Sequence, residues 1–474
     1  MESVRIGWST VSITPDEPVL LAGQFYERVS ERVRDPIAAT ALALESADGS
    51  GRAVWVGCDL LHTAPHLLEG VRALVRVAVP ELAPEHIVLS ATHTHTGPFV
   101  GEFAIKPHFA YRIDRPNVMG YADYCRFAVA RIAQAVTDSW NSRKAGSIGF
   151  GESNASLGHN RMALYANGTA RMYGPVDTPD FVGFIGPEDD RVELLFTWDE
   201  AGELTGIVVN AACTAQFLEH GRYVSADLYG EVRRLVRNRL GSGVHVLGMV
   251  GASGDLAPRD LIRMKRRPAA DAEAALRTAA RRLAAAIEEA LEEAAASREP
   301  APALRHRVKR IELPLRAVSP ADGARAAAEW KVFRERMERE ADPVGYFRSL
   351  GMAGQTEAYE RWAIANRYER MSINPFFEVE LHALRIGEAA IVTNPFELYA
   401  GYGIAIKGRS AARQTFVAQL ACGHGGYLPT AEAIAAGGYS THFFSGAVGA
   451  EGGKLLVEHT LAEIGSLWEK DGTA

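Results

Sequence analysis

Ser90-Ala91-Thr92-His93-Thr94-His95-Thr96-Gly97-Pro98 closes a short apolar run, Ile87–Ala91 (IVLSA). The run reads as a buried strand. In an extended chain, side chains at i and i+2 share a face. His93 and His95 are therefore expected to project together from the strand's end. Two imidazoles on one face can share a metal, or one can ligate while the other moves protons. A single loop histidine is ordinarily just solvated. A His-x-His pair at the exit of a buried strand, closed by Gly97-Pro98, points instead to a site.

Working outward, Ala53–Cys58 (AVWVGC) is a second buried strand, and His66–Val79 between the two is an apolar helix stopped at Pro80. Tyr121–Trp140 is a longer helix. Leu194–Trp198 and Ile207–Ala211 form a hairpin around Asp199-Glu200-Ala201-Gly202. Val232–Leu240 is an Arg-rich helix, and Val244–Val250 is another buried strand. Ala269–Ala296, almost all Ala, Arg, Glu and Leu, is strongly helical with a solvated charged face. Ala321–Met371 is a second helical region broken around Pro343, either a cap beside the core or a lid over a site. Val379–Ile386, Ala389–Thr393 and Thr415–Ala421 return to strand patterning, with Gly387-Glu388 as a hairpin turn. The stretch Gly423–Gly453, rich in Gly, Ala and aromatics, reads as a long functional loop, followed by a helix around Leu455–Trp468. The pattern is α/β: mixed β-sheets layered with helices. It is read as one domain over 1–474 with a helical insertion at 259–371.

The chain has 474 residues, 47% hydrophobic and 23% charged, which excludes a disordered chain and a small disulfide scaffold. Its net charge of −7 carries no global basic footprint, so no nucleic-acid partner is expected. The run Arg263–Arg267 abuts an acidic, Ala-rich helix and reads as a solvated turn. Cys58, Cys125, Cys213 and Cys422 lack CxxC spacing and suggest a reducing compartment. Neither a signal peptide nor a membrane span is read, so the expected localisation is cytoplasmic. A homo-oligomer is the base-rate expectation. Gly251-Ala252-Ser253-Gly254-Asp255 is not a nucleophile elbow, because its last position is Asp. It reads as a tight turn with Asp255 bonding backbone amides. Gly446–Lys454 lacks P-loop spacing, and no GxGxxG follows a strand.

Further pieces gain meaning from their order. Gly7-Trp8-Ser9 through Ile13-Thr14-Pro15, His159-Asn160-Arg161, Ser225-Ala226-Asp227, Gly254-Asp255 with Pro258, Asn394-Pro395-Phe396-Glu397, Gly426–Thr430 and Gly437–Tyr439 run in sequence along nearly the whole chain. With the Thr92–Pro98 motif they resemble the catalytic domain of the neutral/alkaline, non-lysosomal ceramidases. The resemblance implies a zinc-dependent amidohydrolase in which His93, Glu397 and Tyr427 hold the metal. It also implies that His95, Arg161 and Tyr439 orient water or stabilise the reacting carbonyl and its oxyanion.

Two departures qualify it. Where the family carries a second zinc-ligating His, the segment Asn210–Gln216 places Thr214, a poor zinc ligand. Cys213, His95, His220, Asp59 and His62 are candidate replacements; Cys213 is expected to pack as a small buried residue. Neither a secretion signal nor the additional C-terminal β-domain of full-length ceramidases is read. A small soluble amide or ester is therefore the expected substrate class. The alternative is a sugar, cyclitol or other polyol handled by acid–base chemistry with an altered or absent metal site. A degenerate fold that only binds a ligand is the non-enzymatic alternative. It is disfavoured by the joint presence of His93, His95, Arg161, Glu397 and Tyr427.

Overall fold

The computed structural model describes residues 3–101, 109–112, 115–266 and 271–469. Its main sheet has eight strands: β1 (Arg5–Ser12), β2 (Ala38–Glu45), β3 (Arg52–Cys58), β4 (Ile87–Ala91), β5 (Lys144–Asn154), β6 (Arg191–Asp199), β7 (Leu204–Ala211) and β8 (His245–Val250). Their order is β8-β7-β6-β5-β1-β2-β3-β4. The outer pairs β7–β8 and β3–β4 are parallel and the inner pairs antiparallel. A second sheet runs β9 (Leu304–Pro314), β10 (Phe376–Ile386), β11 (Ala389–Thr393) and β12 (Gln414–Ala418), in that spatial order.

Side-chain alternation places the two sheets face to face. Val192, Leu194 and Phe196 of β6 point one way, while Leu195 joins the opposite core. That opposite core also takes Leu42 and Leu44 of β2, Val88 of β4, and Leu384, Ile386, Ile391 and Phe416 of the second sheet. A period of two, buried on both faces, is what a central sheet requires. The outer face of the main sheet is covered by helices α1 (Pro65–Ala78), α2 (Tyr121–Asn141), α3 (Asp227–Leu240) and α4 (Ala272–Ala296). The outer face of the second sheet, with Val379, Leu381, Ala390 and Val417, is covered by a C-terminal helix at Ala450–Trp468 and by Ala400–Arg409. The architecture is helix, sheet, sheet, helix.

The expected strands and helices appear with ends shifted by a few residues. The Arg-rich helix begins earlier, at Asp227, whose carboxylate accepts the Leu218 and Leu228 amides at its start. The expected helix over Ala269–Ala296 begins at Ala272; positions 269 and 270 lie outside the described residues. Leu261–Arg266 is helical rather than a turn, and Arg267 lies outside the described residues. Gly423–Gly453 is less of a loop than its glycines suggest. It holds a short strand at Gly426–Leu428, a helix at Ala431–Ala436 and two single 3₁₀ turns. The 259–371 segment contains β9 as well as helices. Its helices Pro320–Glu338, Pro343–Ser349 and Gly351–Ile373 pack through Phe347, Ala358, Tyr359 and Ala363 onto Leu61, Phe99 and Phe444. No helix among the described residues is long and apolar enough to cross a membrane.

Candidate active site

β4 delivers Thr92–Thr96 into the gap between the main sheet and the loops of the C-terminal third. The two histidines meet, though not through simple strand alternation. His93 has φ 61, a left-handed conformation that ends the extended run. Thr92 N and Thr94 N donate to Cys58 O and Leu60 O, tying the turn to the exit of β3. His93 Nδ1 lies 2.7 Å from Leu61 O, so this nitrogen carries the proton and Nε2 keeps its lone pair. His93 Nε2 is 3.3 Å from His95 Nε2, with the rings edge to face. Burial holds both imidazoles below their ordinary range; Glu397 partly opposes this at His93, and the neighbouring His93 reinforces it at His95.

The carboxylate and phenol arrive on a paired element. Strand Phe396–Leu398 runs parallel to Gly426–Leu428 and sets Glu397 opposite Tyr427. Glu397 Oε2 is 3.6 Å from His93 Nε2. The Tyr427 hydroxyl accepts from Arg161 Nη2 at 3.2 Å. Burial and then the Glu397 charge push the Tyr427 phenol well above its ordinary range. Arg367, on the Gly351–Ile373 helix, donates to Gly446 O and Ala447 O. Gly446 bridges Gly426, so this buried cation braces the strand carrying Tyr427.

Arg161 is held as a fixed cation. Its Nη1 donates to Tyr173 OH at 2.9 Å and its Nη2 to Gly254 O at 2.9 Å. Burial alone would lower its pKa, but Tyr173, Tyr427 and Glu397 hold it well above its ordinary value. Asp255 fulfils its expected part: it accepts the Ala400 amide at 2.7 Å, and its backbone carbonyl accepts Arg161 N. Tyr439 stands edge-on to Tyr427 at 5.8 Å between ring centroids, and burial raises its phenol. Contacts from Tyr439 to Phe444 (5.8 Å) and Phe444 to Tyr359 (5.7 Å) connect the site to the helical segment.

All six expected site residues therefore converge. Of the substitutes weighed for a second ligand, His95 alone is brought against His93. Thr214 is buried beside the His-x-His turn, since Ala215 N donates to Thr92 O and His95 N to Ala215 O. Its hydroxyl faces Gln216 Oε1 at 3.4 Å. Cys213 is fully buried, which pushes its thiol up and marks it as packing. Asp59 is ion-paired with Arg233 and accepts the Ala38 amide. His62 contacts His424, at 4.7 Å between ring centroids. His220 is largely exposed and bonds Tyr26 OH at 2.9 Å.

Two residues that the motifs did not single out complete the wall beside His95. Glu219 Oε2 lies 3.9 Å from His95 Nδ1 and accepts from Gln216 Nε2 at 2.6 Å and Gln24 Nε2 at 3.2 Å, while Arg259 pairs with Oε1. Arg28, fully buried, donates to four carbonyls: Ala22, His95, Glu219 and Gly221. A buried guanidinium spent on carbonyls fixes backbone geometry, and nothing in the local sequence around Arg28 signals it.

The donors at His93, Glu397 and Tyr427 suit a divalent cation. They offer one nitrogen lone pair, one carboxylate and one phenol oxygen, and His93 is oriented from behind by a backbone carbonyl. With Nδ1 of His93 protonated, two buried neutral imidazoles approach Nε2 to Nε2. That contact needs either a proton from His95 or a shared cation.

No family model matches the sequence, and no curated protein matches it. Solved structures do match. A neutral ceramidase from Pseudomonas aeruginosa aligns with TM-score 0.72 at 18% identity, over 100% of this chain and 76% of its own. A ceramidase complexed with C2 aligns with TM-score 0.69 at 16% identity, over 100% of this chain and 77% of its own. The fold is that of the neutral ceramidases.

Proposed function

We propose that the chain is a zinc-dependent hydrolase that cleaves an amide or ester bond of a small substrate. The observation that carries the reading is the convergence of His93, Glu397 and Tyr427 beside Arg161, within a neutral-ceramidase fold. His93, Glu397 and Tyr427 would hold the metal, with His95 beside His93 as the proton carrier. Zinc bound there supplies Lewis acidity towards a carbonyl and lowers the pKa of water.

The side chains then divide the remaining work. Arg161 keeps a full positive charge, pre-aimed by Tyr173 and Gly254, where oxyanion charge develops. Tyr439 stays protonated at neutral pH and acts as a hydrogen-bond donor. His95 is neutral and buried, and is therefore able to accept a proton from water and return it to the leaving group. Gln24, Gln216, Glu219 and Arg259 give the side near His95 a polar lining. That lining favours a substrate with polar substituents next to the scissile bond.

The test is hydrolysis of a panel of N-acyl amides and esters, short-chain ceramide analogues included, before and after chelation. Zinc-restored turnover that is lost in His93→Ala supports the reading; turnover that persists in His93→Ala overturns it.

Thr214 and the Glu219 cluster also favour a second reading, acid–base chemistry on a sugar, cyclitol or other polyol without zinc. Chelator-insensitive activity on a polyol would establish that reading instead.

A further inference from the structure

A second constellation of ligand-type side chains lies apart from the His93 group. Glu380 and His382 sit on β10, on the face whose neighbours Leu384 and Ile386 are buried between the two sheets. Cys422 follows β12 in a left-handed turn (φ 54). It is sutured to the main sheet by Cys422 N donating to Leu89 O and by the Ser90–Ala421 bridge. The three donor atoms lie within 4.8 Å of one another. His382 is fully buried. An ionisable trio at the border of an apolar inter-sheet core is costly unless something compensates it.

The surroundings are organised around these donors. His382 Nε2 is 2.9 Å from Glu380 Oε1, and His382 Nδ1 is 3.0 Å from His306 Nε2 on β9. Glu380 only accepts, so His382 Nε2–H donates to it, and a cation held here would take the place of that proton while Nδ1–H stays on His306. Arg72 of α1 forks onto Glu380 at 2.7 and 3.2 Å and donates to Ile87 O. A carboxylate has about four lone-pair sites, so Glu380 can keep Arg72 and still bind a cation. A cavity of about 280 Å³ opens beside the trio, lined by Glu380, Cys422, His424, Pro395, Phe377 and Arg370.

We propose that Glu380, His382 and Cys422 form a separate binding site for a thiophilic divalent cation of the zinc class, with an open coordination position facing that cavity. Thiolate, imidazole and carboxylate together select zinc or cobalt over magnesium or calcium. Metal–ligand bonds of about 2.0–2.3 Å space tetrahedral donors about 3.5 Å apart, so the trio closes by roughly an ångström of side-chain rotation. His306 is the positioning residue, fixing the His382 ring from behind. The inference does not rest on the His93 reading, which uses none of these side chains.

The experiment titrates cobalt into metal-free full-length protein and follows the thiolate-to-cobalt charge-transfer absorption. The band is expected in the parent and in His93→Ala, and lost in Cys422→Ser and Glu380→Gln. His306→Ala should weaken cobalt binding about 10- to 100-fold with the band retained at saturation. Circular dichroism and Tm confirm folding, and Glu380→Gln serves if Cys422→Ser fails to fold. Absence of the band in the parent at saturating cobalt overturns the proposal. So does a band that survives in Cys422→Ser, which would assign the thiolate to Cys58, Cys125 or Cys213.

Discussion

Gly23 makes the most exacting demand on the site's geometry. Its φ is 95, and a Cβ built there would stand 2.7 Å from both Cγ and Nδ1 of His95. Ordinary contact begins at 3.4 Å, so Gly23→Ala must push the imidazole by roughly 0.7 Å. The ring cannot absorb this by moving with its backbone. Arg28 ties His95 O and Ala22 O to one guanidinium, at 2.6 and 2.5 Å. The displacement therefore falls on the 3.3 Å contact with His93 Nε2. Misplacing a reacting group by about an ångström can cost about 100-fold in rate. We expect kcat/KM for the amide or ester that the parent turns over to fall about 10- to 100-fold. The left-handed backbone adds a stability cost of about 1–2 kcal/mol. Gly49→Ala isolates that second cost: its φ is 73 and nothing lies within 4 Å of the added Cβ. The assay is steady-state hydrolysis with Tm for both variants. Activity in Gly23→Ala within two-fold of Gly49→Ala would refute the role given to His95.

Other consequences are equally measurable. Restoring a nitrogen donor by Thr214→His should tighten zinc by at least 10-fold, read by competition with a chromogenic chelator. Arg161→Met should lower kcat about 100- to 1,000-fold with a smaller change in KM, as removal of an oxyanion donor does; an effect on KM alone would make Arg161 a substrate anchor. Burial raises Asp255 from 3.8 to about 7, so its contribution to stability is full below about pH 4 and is lost as pH rises towards 7; Asp255→Asn should flatten the slope of urea-unfolding free energy across that window. Phe347→Ala empties the aromatic core under the helical segment and should cost about 3–5 kcal/mol; if it lowers activity more than Tm predicts, the segment acts as a lid.

Much of the architecture is legible in the sequence because buried strands leave short apolar runs. IVLSA, AVWVGC and the two arms of the β6–β7 hairpin are such runs. Strand β2 hides because Ala-Ala-Thr-Ala-Leu-Ala-Leu-Glu has helix-forming composition, and only burial on both faces makes it a strand. Strand β5 hides behind glycines: Gly149 and Gly151 lie against the α4 backbone at Ala294 and Ala290, where a Cβ would not fit. Strand β9 reads as charged because its exposed residues are Arg, Lys and Glu, while its buried positions are only Leu304, Ile311 and Leu313.

The six site residues are visible because they sit in short motifs whose order along the chain resembles the neutral ceramidases. Glu219 and Arg28 are not, since each acts through long-range contacts with chain-distant partners. The Glu380–His382–Cys422 group is invisible for the same reason. His382 lies on β10 and Cys422 in the turn after β12, and the pairing of that turn with β4 brings the thiol to the imidazole.

The most direct test of the central claim is the zinc content of Cys422→Ser, which leaves the His93 site as the cation site in question, compared with Cys422→Ser/His93→Ala. The account predicts about one zinc per chain in the first and essentially none in the second, with hydrolysis tracking the metal. Equal zinc in the two proteins, or full hydrolysis without zinc, would contradict it.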